Sequence, residues 1–120
     1  MPALISFPTG VRIVVAAKPV DFRRGAESLA ALAREVLQED PFQGVIVIFR
    51  ARRADRVKII AWDQTGLVMV WKALDGAGFR WPPIVDGRMQ LSAAQAAALF
   101  EGLEWRRVYP QERTAPTATR

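Results

Sequence analysis

Three strand-like runs, residues 45–50, 56–63 and 67–74, follow one another with only short gaps between them, and nothing else in the chain limits its fold as much. They are rich in Val, Ile, Phe and Trp, and the intervening segments carry turn-forming residues. Strands joined by loops this short must lie antiparallel and adjacent, because a parallel pair needs a long crossover. The chain is therefore expected to contain an antiparallel meander.

The turn chemistry predicts a register. Asp63-Gln64-Thr65-Gly66 suits a type I turn with Gly66 left-handed, a three-residue hairpin loop. Asp63 would then face Leu67, and Lys58 would face Lys72. The odd-numbered face becomes Val57, Ile59, Ala61, Leu67, Met69, Trp71 and Ala73, wholly apolar and hence the core face. If Arg50 also faces Arg56 across the 51–55 loop, then Val45, Val47 and Phe49 extend that face. The even face collects Arg50, Arg56, Lys58 and Lys72 at one end, with Ile46, Ile60, Trp62, Val68 and Val70 along the rest.

Around this core the periodicities place further elements. Residues 11–15 alternate as a short strand after the Pro8-Thr9-Gly10 turn signal. From 24 to 39 the period is helical, with Leu29, Leu32, Ala33, Val36 and Leu37 on one stripe, and Asp40-Pro41 closes it. Residues 79–81 offer a further short strand. A second helix begins at Ser92, runs to about Glu101 and has Gly102 as the residue beyond its C-cap. The fold class is α+β: a mainly antiparallel β-meander of about four to five strands, one long helix on the odd face and a shorter C-terminal helix. Residues 1–109 form a single domain and 110–120 a flexible tail. The apolar residues of the even face need cover, from the C-terminal helix or from a second subunit, so a homodimer is one possibility.

Composition removes most catalytic classes. The 120 residues include neither Cys nor His, so disulfides, thiolate metal sites, the usual general base and the commonest metal ligand are all missing. No Walker loop, nucleophile elbow or Ser/His pair is present. No cofactor is expected, no catalytic residue is assigned and no metal site is assigned. The apolar runs are too short for a membrane span and no secretory signal is visible, which leads to an expectation of a cytoplasmic protein without a membrane partner.

Cations outnumber carboxylates 17 to 12, a net charge of +5, and all but Lys18, Lys58 and Lys72 are arginine. Arginine grips phosphate through two parallel hydrogen bonds and stacks on bases. The densest run is Arg50-Ala51-Arg52-Arg53-Ala54-Asp55-Arg56-Val57-Lys58. A charge run is usually a solvated loop. Here the predicted pairing of Lys58 with Lys72 would be destabilising unless an external anion neutralises it. The nucleic-acid-binding candidates are thus Arg50, Arg52, Arg53, Arg56, Lys58 and Lys72. Among Trp62, Trp71, Trp81 and Trp105, Trp71 reads as core. Trp62, on the cationic face, is the better stacking candidate, although cover by a helix is its commoner role.

Pro19-Val20-Asp21-Phe22-Arg23-Arg24-Gly25 resembles the PVDMRKG element of the TnpB accessory proteins of type-66 insertion sequences. The resemblance continues through Asp40-Pro41-Phe42-Gln43-Gly44, the 49–58 arginine run, Trp62-Asp63-Gln64-Thr65-Gly66, Trp71-Lys72-Ala73-Leu74, Phe79-Arg80-Trp81-Pro82 and the 101–107 segment. It spans roughly residues 10–107. Ala73 and Gly78 stand where this family tends to have basic residues. The family is distinct from the RNA-guided nucleases that share its name. The resemblance implies a non-catalytic accessory role in bacterial transposition, with strand cleavage left to a separate transposase. The expected partners are DNA, at element ends or target, and that companion transposase. The alternative is a protein–protein adaptor that binds the transposase without touching DNA. A Mg²⁺-dependent nuclease using Asp21 or Asp63 is the weakest reading.

Overall fold

The computed structural model describes residues 7–76, 78–84 and 87–104. Five strands form one sheet: β1 (Ile13–Ala16), β2 (Ile46–Arg50), β3 (Arg56–Trp62), β4 (Leu67–Ala73) and β5 (Arg88–Leu91), in the spatial order β4-β3-β2-β1-β5. The meander holds for β2, β3 and β4, which pair antiparallel in succession. β1 departs from it and runs parallel to β2. The segment between them carries α1 (Ala26–Leu32), the crossover that a parallel pair requires. The later edge strand is β5, antiparallel to β1, whereas residues 79–81 form no strand.

The helix splits in two. α1 continues as a π-wound turn, Ala33–Leu37, and the chain leaves it through Gln38 in the left-handed region. Leu29, Ala33 and Leu37 of the predicted stripe are buried, but Val36 is 64% exposed. The wider winding of the last turn displaces it from the stripe. This helix covers Val14, Ala16, Val47, Phe49 and Ile60. α2 (Ala93–Phe100) covers the opposite face, against Ile13, Val15, Ile46, Ile48, Val57 and Ile59. The question of which element covers the second face is thus answered within the chain. α2 starts at the expected N-cap, Ser92, which forms a capping box with Gln95. It ends in a Schellman motif, with Leu103 N–H donating to Ala98 O and Gly102 N–H to Leu99 O.

Both predicted registers are displaced by one residue. Trp62 pairs with Leu67, so Asp63 and Gly66 close a two-residue loop through Asp63 N–H to Gly66 O at 3.0 Å. The cause is the Asp63 side chain. Its Oδ1 accepts from the backbone amides of Thr65 and Gly66 and from the Thr65 hydroxyl, which draws Asp63 into the turn. Gln64, not Gly66, takes the positive φ, at 86°. That geometry is natural to glycine and strained for glutamine. Gln64→Gly is accordingly expected to stabilise the protein by about 1 kcal/mol, seen as a higher midpoint in thermal unfolding. In the other hairpin Arg50 pairs with Val57, and Ala51 N–H reaches Arg56 O, leaving Arg52 to Asp55 as a four-residue loop.

A shift of one residue exchanges the faces of a strand. Residues 56, 58 and 60 of β3 lie with 69, 71 and 73 of β4 under α1, while 57 and 59 lie with 70 and 72 under α2. The predicted row of four cations on one face therefore divides two and two. Arg56 and Lys58 lie on the α1 side, Arg50 and Lys72 on the α2 side.

Candidate nucleic-acid interface

The segment after β1 is held at both ends. Val20 N–H donates to Arg50 O at 2.8 Å, and Arg24 N–H donates to Asp21 O at 3.0 Å. Asp21 Oδ1 accepts from the backbone N–H and Nε of Arg23, and its Oδ2 accepts from Arg23 Nη2 at 2.7 Å. Those hydrogen bonds hold the Asp21 carboxyl well below its ordinary range. Opposite stands the 52–55 loop. Between them opens a groove of about 540 Å³, with Asp21 and Phe22 on one wall and Arg52, Arg53 and Arg56 on the other. The Pro19–Gly25 element and the arginine run, separate in sequence, are thus two sides of one feature.

The groove carries excess positive charge. Asp55 accepts from Arg53 and Arg56, each at 3.1 Å, through the same oxygen. Burial works to raise the Asp55 carboxyl, but the Arg53 hydrogen bond and the charges of Arg53 and Arg56 outweigh it and keep it low. One carboxylate therefore serves two arginines. Arg52 is exposed and has no ion pair among the described residues. Asp21 is already occupied by Arg23.

The remaining candidates do other work. Lys58 is 6% exposed, and its Nζ donates to Phe22 O at 2.6 Å and Arg24 O at 2.9 Å, 4.4 Å from the Phe22 ring centroid. Lys72 lies on the opposite face, opposite Val57 rather than Lys58. Its Nζ donates to Phe100 O at 2.8 Å and pairs with Glu101 at 3.6 Å, where a cation suits the C-terminal end of α2. Each lysine ties a neighbouring segment to the sheet, and the like-charged cross-strand pair does not exist. Arg50 packs its guanidinium 5.4 Å from the Trp81 ring, and its buried Nε has no hydrogen-bond partner.

The tryptophans also change places. Trp71 is 57% exposed rather than core, because the register shift puts it beside Lys58 on the edge strand, where Phe22 meets it edge-on at 5.9 Å. Trp62 is half-buried against Phe42, with ring centroids 5.3 Å apart. Trp81 Nε1 donates to Ala54 O, fastening the arginine loop. Trp105 and the 110–120 tail lie outside the described residues. Gly78 has a local reason to be glycine: a Cβ there would come within 2.8 Å of Ala54 Cβ and 3.1 Å of its backbone.

Asp21 and Asp63 lie at opposite ends of β3, one beside Arg56 and the other just beyond Trp62. Among the described residues no group of three or more His, Cys, Asp or Glu could hold a metal ion, and no helix is long and apolar enough to cross a membrane. A second hollow of about 410 Å³ lies behind the 18–21 segment, with Leu32, Val36, Leu37 and Phe49 inside and Lys18, Arg24 and Arg88 around it. Sequence periodicity could not find it, since it depends on the π-wound turn exposing Val36.

Comparison with known proteins agrees with the motifs. The family described as IS66 Orf2 like protein matches residues 11–110. Two proteins of Sinorhizobium fredii (strain NBRC 101917 / NGR234), both described as uncharacterized, are similar over nearly their whole length. The chain is 43% identical to y4jC over 90% of this chain and 92% of that one. It is 38% identical to y4hO over 92% and 96%. No solved structure matches. The Pro19–Gly25 element, the arginine loop it faces and the family match together place this chain in the IS66 Orf2-like family of insertion-sequence accessory proteins.

Proposed function

We propose that the protein is a non-catalytic accessory factor of transposition that binds DNA through the groove between the Pro19–Gly25 element and the 52–55 loop. The observation that carries this reading is the charge imbalance there: Arg53 and Arg56 share one carboxylate, Asp55, and Arg52 beside them has no ion pair among the described residues. Phosphates would satisfy the surplus and release counterions. Arg52 and Arg53, both exposed, are the contacts. Arg50 and Arg56 shape the loop, and Lys58 and Lys72 add charge at longer range while serving the fold.

The test is binding of labelled element-end DNA at low salt. Arg52→Ala/Arg53→Ala is expected to weaken binding by about 2–4 kcal/mol while leaving the unfolding midpoint nearly unchanged, since exposed ion pairs contribute little to stability. A second reading, an adaptor for the companion transposase, is favoured by the apolar hollow around Val36. Capture of that transposase from nuclease-treated extract, undiminished by the Arg52/Arg53 double substitution and lost in Val36→Glu, would support the adaptor instead.

A further inference from the structure

We infer that the DNA bound here is single-stranded, with an unpaired base stacked on Trp71. This rests on the reading of the groove as a DNA site and narrows its substrate class. Trp71 is the most exposed of the described tryptophans and lies on an edge strand. Its neighbour Phe22 joins it to the groove, because Phe22 touches the Trp71 ring edge-on and also lines the wall facing Arg52 and Arg53. Arg56 lies on the same face of the sheet, diagonal to Trp71 across the Lys58–Trp71 and Arg56–Ala73 pairs. Diagonal neighbours lie about 7–8 Å apart, so aromatic and cationic groups form one strip.

The chemistry of the strip discriminates between forms of DNA. In a duplex the base faces are stacked on one another and an indole at the rim meets only sugar and phosphate. An unpaired nucleotide exposes a π-face, which an aromatic platform takes regardless of sequence while cations track the phosphates. The ring of Phe22 is itself fixed by Lys58 beneath it, so the platform is preformed. A protein partner would use the apolar ring but would leave Arg52 without a counter-charge unless it were acidic, and the cationic surplus favours the polyanion.

The experiment compares one labelled strand with its blunt duplex by fluorescence anisotropy, using the full chain and the variants Trp71→Ala and Trp71→Phe. Wild type is expected to bind the single strand more tightly. Trp71→Ala should weaken single-strand binding about tenfold and duplex binding less than twofold, with Trp71→Phe close to wild type. Equal affinity for the two forms, or single-strand binding unmoved by Trp71→Ala, overturns this inference while leaving binding that depends on Arg52 and Arg53 intact. Absence of binding to both forms overturns the DNA reading itself. Because Trp71 is exposed, the variants should unfold near the wild-type midpoint. If Trp71→Ala does not, the Trp71→Phe comparison with Trp71→Gln decides in the same way.

Discussion

Lys58→Met is expected to destabilise the protein by about 2–4 kcal/mol, lowering the thermal midpoint by about 8–15 °C. The methionine replaces the aliphatic stem but leaves the carbonyls of Phe22 and Arg24 without the ammonium that both accept from. Those carbonyls belong to the bend that leads into α1, so the loss is local to the wall of the groove and to the helix that covers one face. Replacing a buried charge can be neutral when its partner is removed with it, but here the partners are backbone and stay. Lys72→Met provides the comparison. Lys72 is half-buried and its acceptor is a helix-end carbonyl beside the exposed Glu101, so about 1 kcal/mol is expected. Denaturant unfolding of the two variants checks the order, and a larger effect at Lys72 would contradict it.

Glu39→Gln is expected to cost about 2–3 kcal/mol at neutral pH. Glu39 is 5% exposed and accepts from Arg12 through both oxygens, at 2.9 and 2.8 Å, and from Arg88 Nε. It joins the end of the π-wound turn to β5 and to the residue preceding β1. The effect falls short of that for a fully buried pair because both arginines reach solvent. The hydrogen bond from Arg12 holds the Glu39 carboxyl below its ordinary value, burial opposing and Arg88 assisting. A carboxyl depressed in the folded state contributes stability that is fully present above its unfolded value and is lost as pH falls through the folded one. The difference between wild type and Glu39→Gln should therefore be largest above about pH 5 and shrink on further acidification. Asp21, Asp55 and Asp63 are depressed too and add acid sensitivity of the same sign to both proteins, so the difference isolates Glu39. Urea unfolding at neutral and acidic pH measures it.

Strands β2, β3 and β4 were legible because apolar β-formers in runs of five to eight residues leave little choice, and α2 because Ser92 and Gly102 mark its ends. The short, half-polar β5 was missed, and a strand was expected at 79–81 instead. Register was not legible. It turned on whether Asp63 belongs to the ladder or to the turn, and that was decided by amides two and three residues away donating to its carboxylate. A glycine at 66 suggested where the positive φ would fall, yet Gln64 took it. From that single residue follow the opposite faces of Lys58 and Lys72 and the exposure of Trp71. The parallel placement of β1 was hidden for a different reason: the alternation expected over 11–15 gives way to four consecutive buried residues, 13–16, a pattern that reveals no partner. The arginine loop was visible as charge, but the wall opposite it was not. Nothing local in Pro19–Gly25 states that Val20 will bond to Arg50, so a motif that stood out by resemblance gained its physical meaning only in three dimensions.

The central claim is that the arginine loop, not the net charge of the chain, meets phosphate. It is tested most directly by the salt dependence of binding to element-end DNA. Wild type should show a linear fall of log K with log salt, and Arg52→Ala/Arg53→Ala should flatten that slope by about 1.5–2, the loss of two phosphate contacts. Binding that is absent at low salt, or a slope unchanged by the double substitution, would contradict the account.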